Sequence, residues 1–190
     1  MKCGRCEKQA TLHSTEMVSP DTFEEWHLCE ACAKQYLDEH PASSISNPSR
    51  TSEKTDGGTR FYVARIIISE LHDQQVVVLC EAGGERSLPV VCGIFEATSM
   101  DRKLRQMPSP RPLMHDAWAN TIAALGGELQ DVFITELREH TYFARLRIRQ
   151  RAPFSRLVEV DVRPSDAFTM AIHHRVGVFV KDEVLAKVCI

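Results

Sequence analysis

From residue 60 onward, hydrophobic and polar residues follow the periodicities of strands and helices. Runs of β-branched residues predict strands at 61–68, 75–80, 87–92, 129–137, 141–151, 156–162 and 178–180. Apolar residues three or four positions apart predict helices at 93–106, 112–125, 164–174 and 182–188. Because strands and helices do not alternate strictly, we predict an α+β fold, with a mixed β-sheet and flanking helices.

Residues 41–59 interrupt this pattern. They are rich in Ser, Thr, Pro and Gly, with Ile45 as the one large apolar residue. Such a segment buries too little apolar surface to offset the entropy lost on ordering. We therefore predict a flexible linker at 41–59, which separates a small module at 1–40 from a larger domain at 60–190.

Composition narrows the class of protein. Hydrophobic residues make up 43% and charged residues 26%, as in ordinary globular proteins. No apolar run approaches the roughly 18 residues of a membrane span, and the N-terminus lacks the apolar core of a signal peptide. We expect a cytoplasmic protein that has no membrane partner. We also expect it to form a homo-oligomer, namely a dimer. The net charge of −3 means that any affinity for nucleic acid must come from local patterning.

Four of the seven cysteines lie in two Cys-x-x-Cys motifs within the first 32 residues. Zinc prefers four ligands in a tetrahedron, and two such motifs complete a closed structural site. A module of about 40 residues is too small to fold on its core alone, so metal binding would supply folding energy. A redox pair is the alternative, although it needs one motif only. The predicted ligands of a structural Zn²⁺ are Cys3, Cys6, Cys29 and Cys32.

Three short motifs characterise this module: Cys3–Cys6, Ala10–His13 and His27–Ala33. Together they resemble the N-terminal zinc module of bacterial activators of protein arginine kinase, over roughly residues 1–37. The resemblance implies a zinc-stabilised interaction module that binds a protein partner. His13 and His27 are candidate substitute ligands, although surface positions or contacts behind the metal ligands suit them better.

Two Arg-Pro pairs begin predicted helices. Each places Arg at the N-cap, Pro at the first helical position and Asp in the first turns, with Arg111 and Asp116 in one, Arg163 and Asp166 in the other. A helix N-terminus attracts anions, and Arg grips phosphate in a bidentate fork. The structural alternative is that Asp caps the helix or that an Arg–Asp pair locks two helix ends. His115 is suited to proton transfer near neutral pH. The alternative is that it is a hydrogen-bonded residue with a packing role only.

These pairs belong to a series of motifs that occur in order along residues 61–188. The motifs are Leu88–Val90, Gly93–Ala97, Arg111-Pro112 with His115-Asp116, Asp161–Ala167, and Val178–Val180 before Val184-Leu185. Together they resemble the bifunctional nuclease domain family. The resemblance implies an α+β fold and hydrolysis of both DNA and RNA.

The resulting hypothesis is a nuclease that hydrolyses phosphodiester bonds with the help of a metal ion. Carboxylates would hold Mg²⁺ or Mn²⁺, which polarises phosphate and activates water. A histidine would transfer protons, and arginines would stabilise the charge on phosphate. The catalytic candidates are His115, Asp116, Asp166 and Glu96, with Arg111 and Arg163 binding phosphate. The rival hypothesis is a non-catalytic regulatory or adaptor protein whose zinc module binds a protein partner.

An arginine stripe, defined here as Arg145, Arg147 and Arg149, occupies alternate positions of a predicted strand, so that the three side chains share one face. Such a stripe can follow a phosphate backbone and bind nucleic acid, with or without cleavage. The alternatives are the solvent face of an antiparallel strand, or pairing with Glu136 and Glu139 across a hairpin.

Overall fold

A computed structural model describes residues 1–19, 22–41, 54–55, 57–83, 86–151 and 155–188. The strands are β1 (Leu12–Ser19), β2 (Thr22–Leu28), β3 (Lys54–Thr55), β4 (Gly58–Ser69), β5 (Gln75–Glu81), β6 (Ser87–Cys92), β7 (Gly127–Arg138), β8 (Thr141–Gln150), β9 (Arg156–Val162) and β10 (Gly177–Lys181). The helices are α1 (Glu30–Glu39), α2 (Ile94–Leu104), α3 (Met114–Ala124), α4 (Pro164–His174) and α5 (Asp182–Val188). The predicted α+β class with a mixed sheet is confirmed. None of the helices described is long and apolar enough to cross a membrane.

The contacts divide the chain into two compact units. The first unit comprises Met1–Ser52 and Tyr62–Arg105, and the second comprises Glu53–Phe61 and Gln106–Ile190. Most of the predicted linker at 41–59 lies outside the described residues. The division at that linker into a 1–40 module and a 60–190 domain therefore stays a prediction.

In the first unit, the segment that carries the four clustered cysteines (residues 1–41, called the cysteine segment) shares a sheet with β4. β1 pairs antiparallel with β2 on one edge and with β4 on the other. β5 pairs with β4 and β6. Helix α1 packs Ala33 and Tyr36 against Leu28 and two of the cysteines. Within this unit, strand pairing therefore joins the cysteine segment to the residues that follow Tyr62.

A buried arginine reinforces this arrangement. Arg65 on β4 is 2% exposed, and its Nη2 lies 3.0 Å from Oε2 of Glu16 on β1. Its Nη1 donates a hydrogen bond to the backbone oxygen of His40 at 2.9 Å. The Tyr36 hydroxyl also donates to Glu16 Oε2, at 2.8 Å. Burial and this hydrogen bond to Glu16 raise the pKa of Tyr36. One desolvated ion pair thus connects β1, β4 and the region of α1.

The second unit contains the mixed sheet. Residues 58–61 of β4 pair with β10, β10 runs parallel to β7, and β8 and β9 follow antiparallel. Phe133 and Phe179 stack with ring centroids 5.3 Å apart. Helix α4 packs against β7 and β8 and buries Phe168 and Met170 completely. Helix α3, also in this unit, ends at Ala124, and Gly126 shortly after it has a φ of +75° that suits glycine.

Replacing Glu16 with Gln removes the charge that compensates buried Arg65. We expect the free energy of unfolding to fall by about 3–5 kcal/mol, because one partner of a buried ion pair is lost. Urea denaturation followed by circular dichroism measures the change. Glu24→Gln, at the exposed position directly across the hairpin, is the control and should change stability by less than about 0.5 kcal/mol. Equal effects of the two substitutions would contradict the proposed importance of the ion pair.

Candidate functional site

The four predicted metal ligands come together in the first unit. Their Sγ atoms all lie within 4.8 Å of one another. The Cys6 and Cys29 sulfurs are 3.6 Å apart, close to the roughly 3.8 Å edge of a tetrahedron with 2.3 Å zinc–sulfur bonds. Cys3 and Cys6 lie in a turn that the Lys2–Gln9 bridge closes. Cys29 is the N-cap residue of α1, and Cys32 lies in its first turn.

The electrostatics of this cluster favour a cation. A backbone hydrogen bond at Cys29 lowers the pKa of the Cys3 thiol to about 6. The hydrogen bond with the Cys29 side chain and burial raise the pKa of Cys32 to about 12. Four thiols this close cannot all ionise together unless a positive charge compensates them. The cluster can therefore hold a metal ion, as the sequence predicted.

The two Arg-Pro helix starts differ from each other. α4 begins as predicted, with Arg163 at the N-cap and Pro164 in the first position. The prediction that α3 begins at Pro112 with Arg111 as N-cap is wrong, because α3 begins at Met114 and Leu113 is its N-cap. The reason is a hydrogen bond of 2.9 Å from the backbone N–H of Leu113 to the Asp116 carboxylate. This bond satisfies an otherwise unbonded donor at that point of the chain.

The first turns of α3 and α4 meet through a histidine and a carboxylate. His115 Nε2 lies 3.2 Å from Asp166 Oδ1. Arg163 Nε donates to the other oxygen of Asp166 at 2.9 Å. The exposed fractions of the side chains are 8% for His115, 18% for Asp166 and 66% for Arg163. The first turns of the two helices therefore come together at His115 and Asp166, and Arg163 is the exposed member of the group.

One residue of this site was missed by sequence reasoning. His173, in the last turn of α4, places Nδ1 3.4 Å from Oδ1 of Asp116. Its ring also meets that of His174 edge-on, at 5.0 Å between centroids. Burial, together with the charge of His173, lowers the pKa of His174. The His-His pair in the sequence was the available signal, but its distance along the chain from Asp116 concealed the contact.

Two further predicted site residues are Arg111 and Glu96. Arg111 is exposed ahead of α3. Glu96 belongs to the first unit, where its carboxylate folds back over Gly93, the N-cap of α2.

The predicted Mg²⁺ or Mn²⁺ does not fit this arrangement as a preformed centre. Within the described part of the chain, His115, Asp116 and Asp166 do not form a group of three whose ligand atoms surround one ion. Both oxygens of Asp166 also accept hydrogen bonds already. The arrangement offers a histidine held by a carboxylate, beside an exposed guanidinium.

The arginine stripe faces away from the buried Ala144 and Leu146, as the alternation predicted. Arg147 forms a bidentate pair with Asp131, at 2.5 and 2.6 Å. Its guanidinium also lies 4.3 Å from the centre of the Phe133 ring. The side chains of Arg147 and Asp131 are only 12% and 13% exposed. The Arg147–Asp131 ion pair is therefore part of the packing of the sheet.

The other two members of the stripe are more exposed. Arg145 pairs with Glu159 at 2.6 Å, and Arg149 donates to Gln130 at 3.3 Å. The alternative partners named from the sequence, Glu136 and Glu139, are wrong, because the register of β7 and β8 brings different residues opposite the stripe. Phosphate binding by these arginines stays a prediction, and it requires existing contacts to be exchanged.

Replacing Arg147 with Ala leaves Asp131 without its bidentate partner. We expect the free energy of unfolding to fall by about 3 kcal/mol, because a largely buried charge loses its compensation. Arg149→Ala, two positions along the same face, is the control and should change stability by less than about 0.5 kcal/mol. Thermal and urea denaturation measure both variants. A neutral Arg147→Ala variant would show that this arginine is dispensable to the fold.

Comparison with known proteins identifies a family for the larger part of the chain. The profile of the bifunctional nuclease domain matches residues 77–190. An uncharacterised protein of Mycobacterium tuberculosis is 37% identical over 125 residues, which are 66% of this chain and 73% of that protein. Bifunctional nuclease 1 of Oryza sativa subsp. japonica is 24% identical over 109 residues, 57% of this chain and 33% of its own length. Bifunctional nuclease 1 of Arabidopsis thaliana is 25% identical over 103 residues, 54% and 32% of the respective chains.

The matched region contains the meeting point of α3 and α4. Residues 1–37 lie outside it, and their resemblance to the activators of protein arginine kinase is supported by the four close cysteines alone. From the profile match over residues 77–190, we conclude that this chain belongs to the bifunctional nuclease domain family.

Proposed function

We propose that this protein hydrolyses phosphodiester bonds in DNA and RNA at the meeting point of α3 and α4. The observation that carries the proposal is the 3.2 Å contact between His115 and Asp166 beside the exposed Arg163. Membership of the nuclease family supports it. The names of the plant relatives point to the same activity.

In the proposed mechanism, Asp166 holds the His115 ring through its Nε2 atom. A carboxylate in this position fixes the orientation of the ring and stabilises the imidazolium that forms when His115 takes a proton from water. The same imidazolium can then return a proton to the leaving oxygen. Because His115 is largely buried, a polymeric substrate meets Arg163 first.

Arg163 and the start of α4 bind the phosphate in this mechanism. Arg163 is the N-cap residue of α4, and its guanidinium pairs with Asp166 in the first turn. The first backbone N–H groups of this helix start at Ser165, because Pro164 has none. These donors and the helix dipole attract an anion, and the guanidinium adds a full positive charge. Charge that develops on the phosphoryl oxygens is stabilised by the same groups. No step is assigned to a divalent cation, because the three side chains at this site do not form a ready ligand set.

A non-catalytic regulatory or adaptor role is the second candidate. The acidic partners of Arg145 and Arg147 favour it, as does the ion pair of Arg163 with Asp166, which stabilises the start of α4 without any substrate. In this case the cysteine segment binds a protein partner. The second unit would bind a ligand, or nucleic acid without cleavage. Both candidates are compatible with the proposed cytoplasmic homodimer.

We also propose that the ion held by the four cysteines is Zn²⁺. A closed set of four thiolates suits zinc, and no ligand position remains open for catalysis. The metal therefore has a structural role in either candidate function.

Protein purified without added metal should contain one zinc equivalent per chain at the cysteines, by elemental analysis. Cys29→Ser should lose this equivalent and unfold α1, because the metal and the helix start share this residue. Cys92→Ser, a partly exposed thiol at the end of β6, is the matched control and should keep the zinc. Four freely titratable thiols in the N-terminal segment of purified protein would contradict a zinc site.

Asp166→Asn keeps the shape of the side chain and removes the charge that orients His115. We expect cleavage of single- and double-stranded DNA and RNA to fall by at least about 100-fold, the usual contribution of a positioned proton-transfer group. Asp161→Asn, an exposed carboxylate on β9, is the charge-matched control and should retain full activity. Each assay is run with Mg²⁺, with Mn²⁺ and with EDTA, so that metal dependence is measured independently.

The melting temperature separates the two candidates. The nuclease is supported if the wild type cleaves and the Asp166→Asn variant is inactive but keeps its melting temperature. If Asp166→Asn mainly lowers the melting temperature while cleavage persists, the carboxylate is a helix cap and the proposed mechanism is wrong. A wild type that cleaves none of the four substrates under any metal condition favours the adaptor.

A further inference from the structure

The β1–β2 hairpin of the first unit carries a compact group of ligand-type side chains. His13 on β1 lies directly opposite His27 on β2, and Thr15 lies opposite Glu25. Positions two apart on a strand share a face. These four residues therefore form a block of two rows on one face of the hairpin in the first unit, whereas the residues of the proposed nuclease site belong to the second unit.

The two imidazoles have the spacing of ligands to one ion. His13 Nδ1 and His27 Nδ1 are 3.3 Å apart. Zinc–nitrogen bonds of about 2.0–2.1 Å give a tetrahedral edge of about 3.3–3.4 Å. A carboxylate oxygen of Glu25 lies within 4.8 Å of a ligand nitrogen of each histidine. Glu25 Oε2 is 4.0 Å from Nε2 of His27, so the two imidazoles and the carboxylate come together as one group.

The second ring nitrogen of His13, Nε2, has the hydrogen-bond partners that are typical of a metal-binding histidine. Its Nε2 lies 3.0 Å from Thr15 Oγ1 and 3.4 Å from Oδ1 of Asp101 on α2. Asp101 is 2% exposed and also accepts a hydrogen bond from Thr15. In metalloproteins, a ligand histidine commonly donates its second N–H to a carboxylate, which fixes the tautomer. With the proton on Nε2, Nδ1 of His13 is left with a lone pair directed toward His27.

The charges around the group favour a divalent cation. Glu25 and Asp101 contribute two negative charges, and Arg105 bonds to both, at 3.0 and 2.6 Å. With neutral imidazoles, the sum is one net negative charge. The side chains of His13, His27 and Glu25 are 18%, 32% and 33% exposed. An ion can therefore reach the site from solvent.

We propose that His13 Nδ1, His27 Nδ1 and the Glu25 carboxylate bind a second Zn²⁺, distinct from the ion at the four cysteines. Imidazole with carboxylate suits zinc better than Mg²⁺ or Ca²⁺. Three protein ligands leave the fourth position of a tetrahedron to water, as in zinc sites that remain open to exchange. Asp101 and Thr15 are positioning residues, because they hold the ring of His13 without contacting the ion.

Zinc binding to the full-length chain tests this site. In titration with ZnCl₂ at buffered free zinc, wild type should bind one equivalent more than the cysteines alone require. Glu25→Gln should weaken the affinity for this last equivalent by at least about 10-fold, because a charged ligand is lost. Glu24→Gln, the neighbouring exposed carboxylate on the other face of β2, should bind like wild type. Equal zinc binding by all three proteins would overturn the proposal.

A second measurement on wild type needs no substitution. In ¹⁵N-edited histidine spectra, saturation with zinc should change the Nδ1 signals of His13 and His27 to those of metal-bound nitrogen, while their Nε2 signals stay protonated. Histidine signals of both residues that do not respond to zinc, or coordination through Nε2, would overturn the proposed ligand set.

Discussion

Because β10 lies parallel to β7, the chain has to cross the sheet before it can form β10. Helix α4 makes that crossing after β9, and it packs on the face of β7 and β8. Helix α3, which leads into β7, contacts α4 on the way. The sheet topology therefore brings two helix starts together that are separated by fifty residues, and the His115–Asp166 contact follows from this. The carboxylates at these starts then serve two purposes, helix capping and orientation of a histidine.

Much of this could be predicted from the sequence, because local signals were strong. Pro164 fixed the start of α4, and β-branched runs gave the strands after residue 60. The Cys-x-x-Cys spacing identified the four cysteines whose sulfurs come together. The strands of the N-terminal hairpin were missed, since β1 presents His13, Ser14 and Thr15 in succession instead of a clear alternation of apolar residues.

The remaining errors concern interactions at a distance. The start of α3 was misplaced because a side chain three residues inside the helix bonds to Leu113, and this outweighed the preference of Pro112 for the first position. The partners of Arg147 and Arg149 depend on the register of β7 and β8, which contains two irregularities that composition does not reveal, and the partner of Arg145 lies on β9. The pairing of His173 with Asp116 depends on the packing of α4 beside α3. Each of these is a tertiary contact, whereas periodicity reports only on neighbours along the chain.

Cys29 is at once a sulfur of the cysteine cluster and the residue from which α1 begins. Tyr36, two turns further along that helix, shares Glu16 with the buried Arg65 of β4. Loss of an ion bound at these sulfurs would remove support from the first turn of the helix and allow it to unwind from there. Tyr36 would then leave the core, and Glu16 and Arg65 would become accessible to water. A change at the sulfurs would thereby reach β4, a strand that contains no cysteine, through α1 and the shared carboxylate of Glu16.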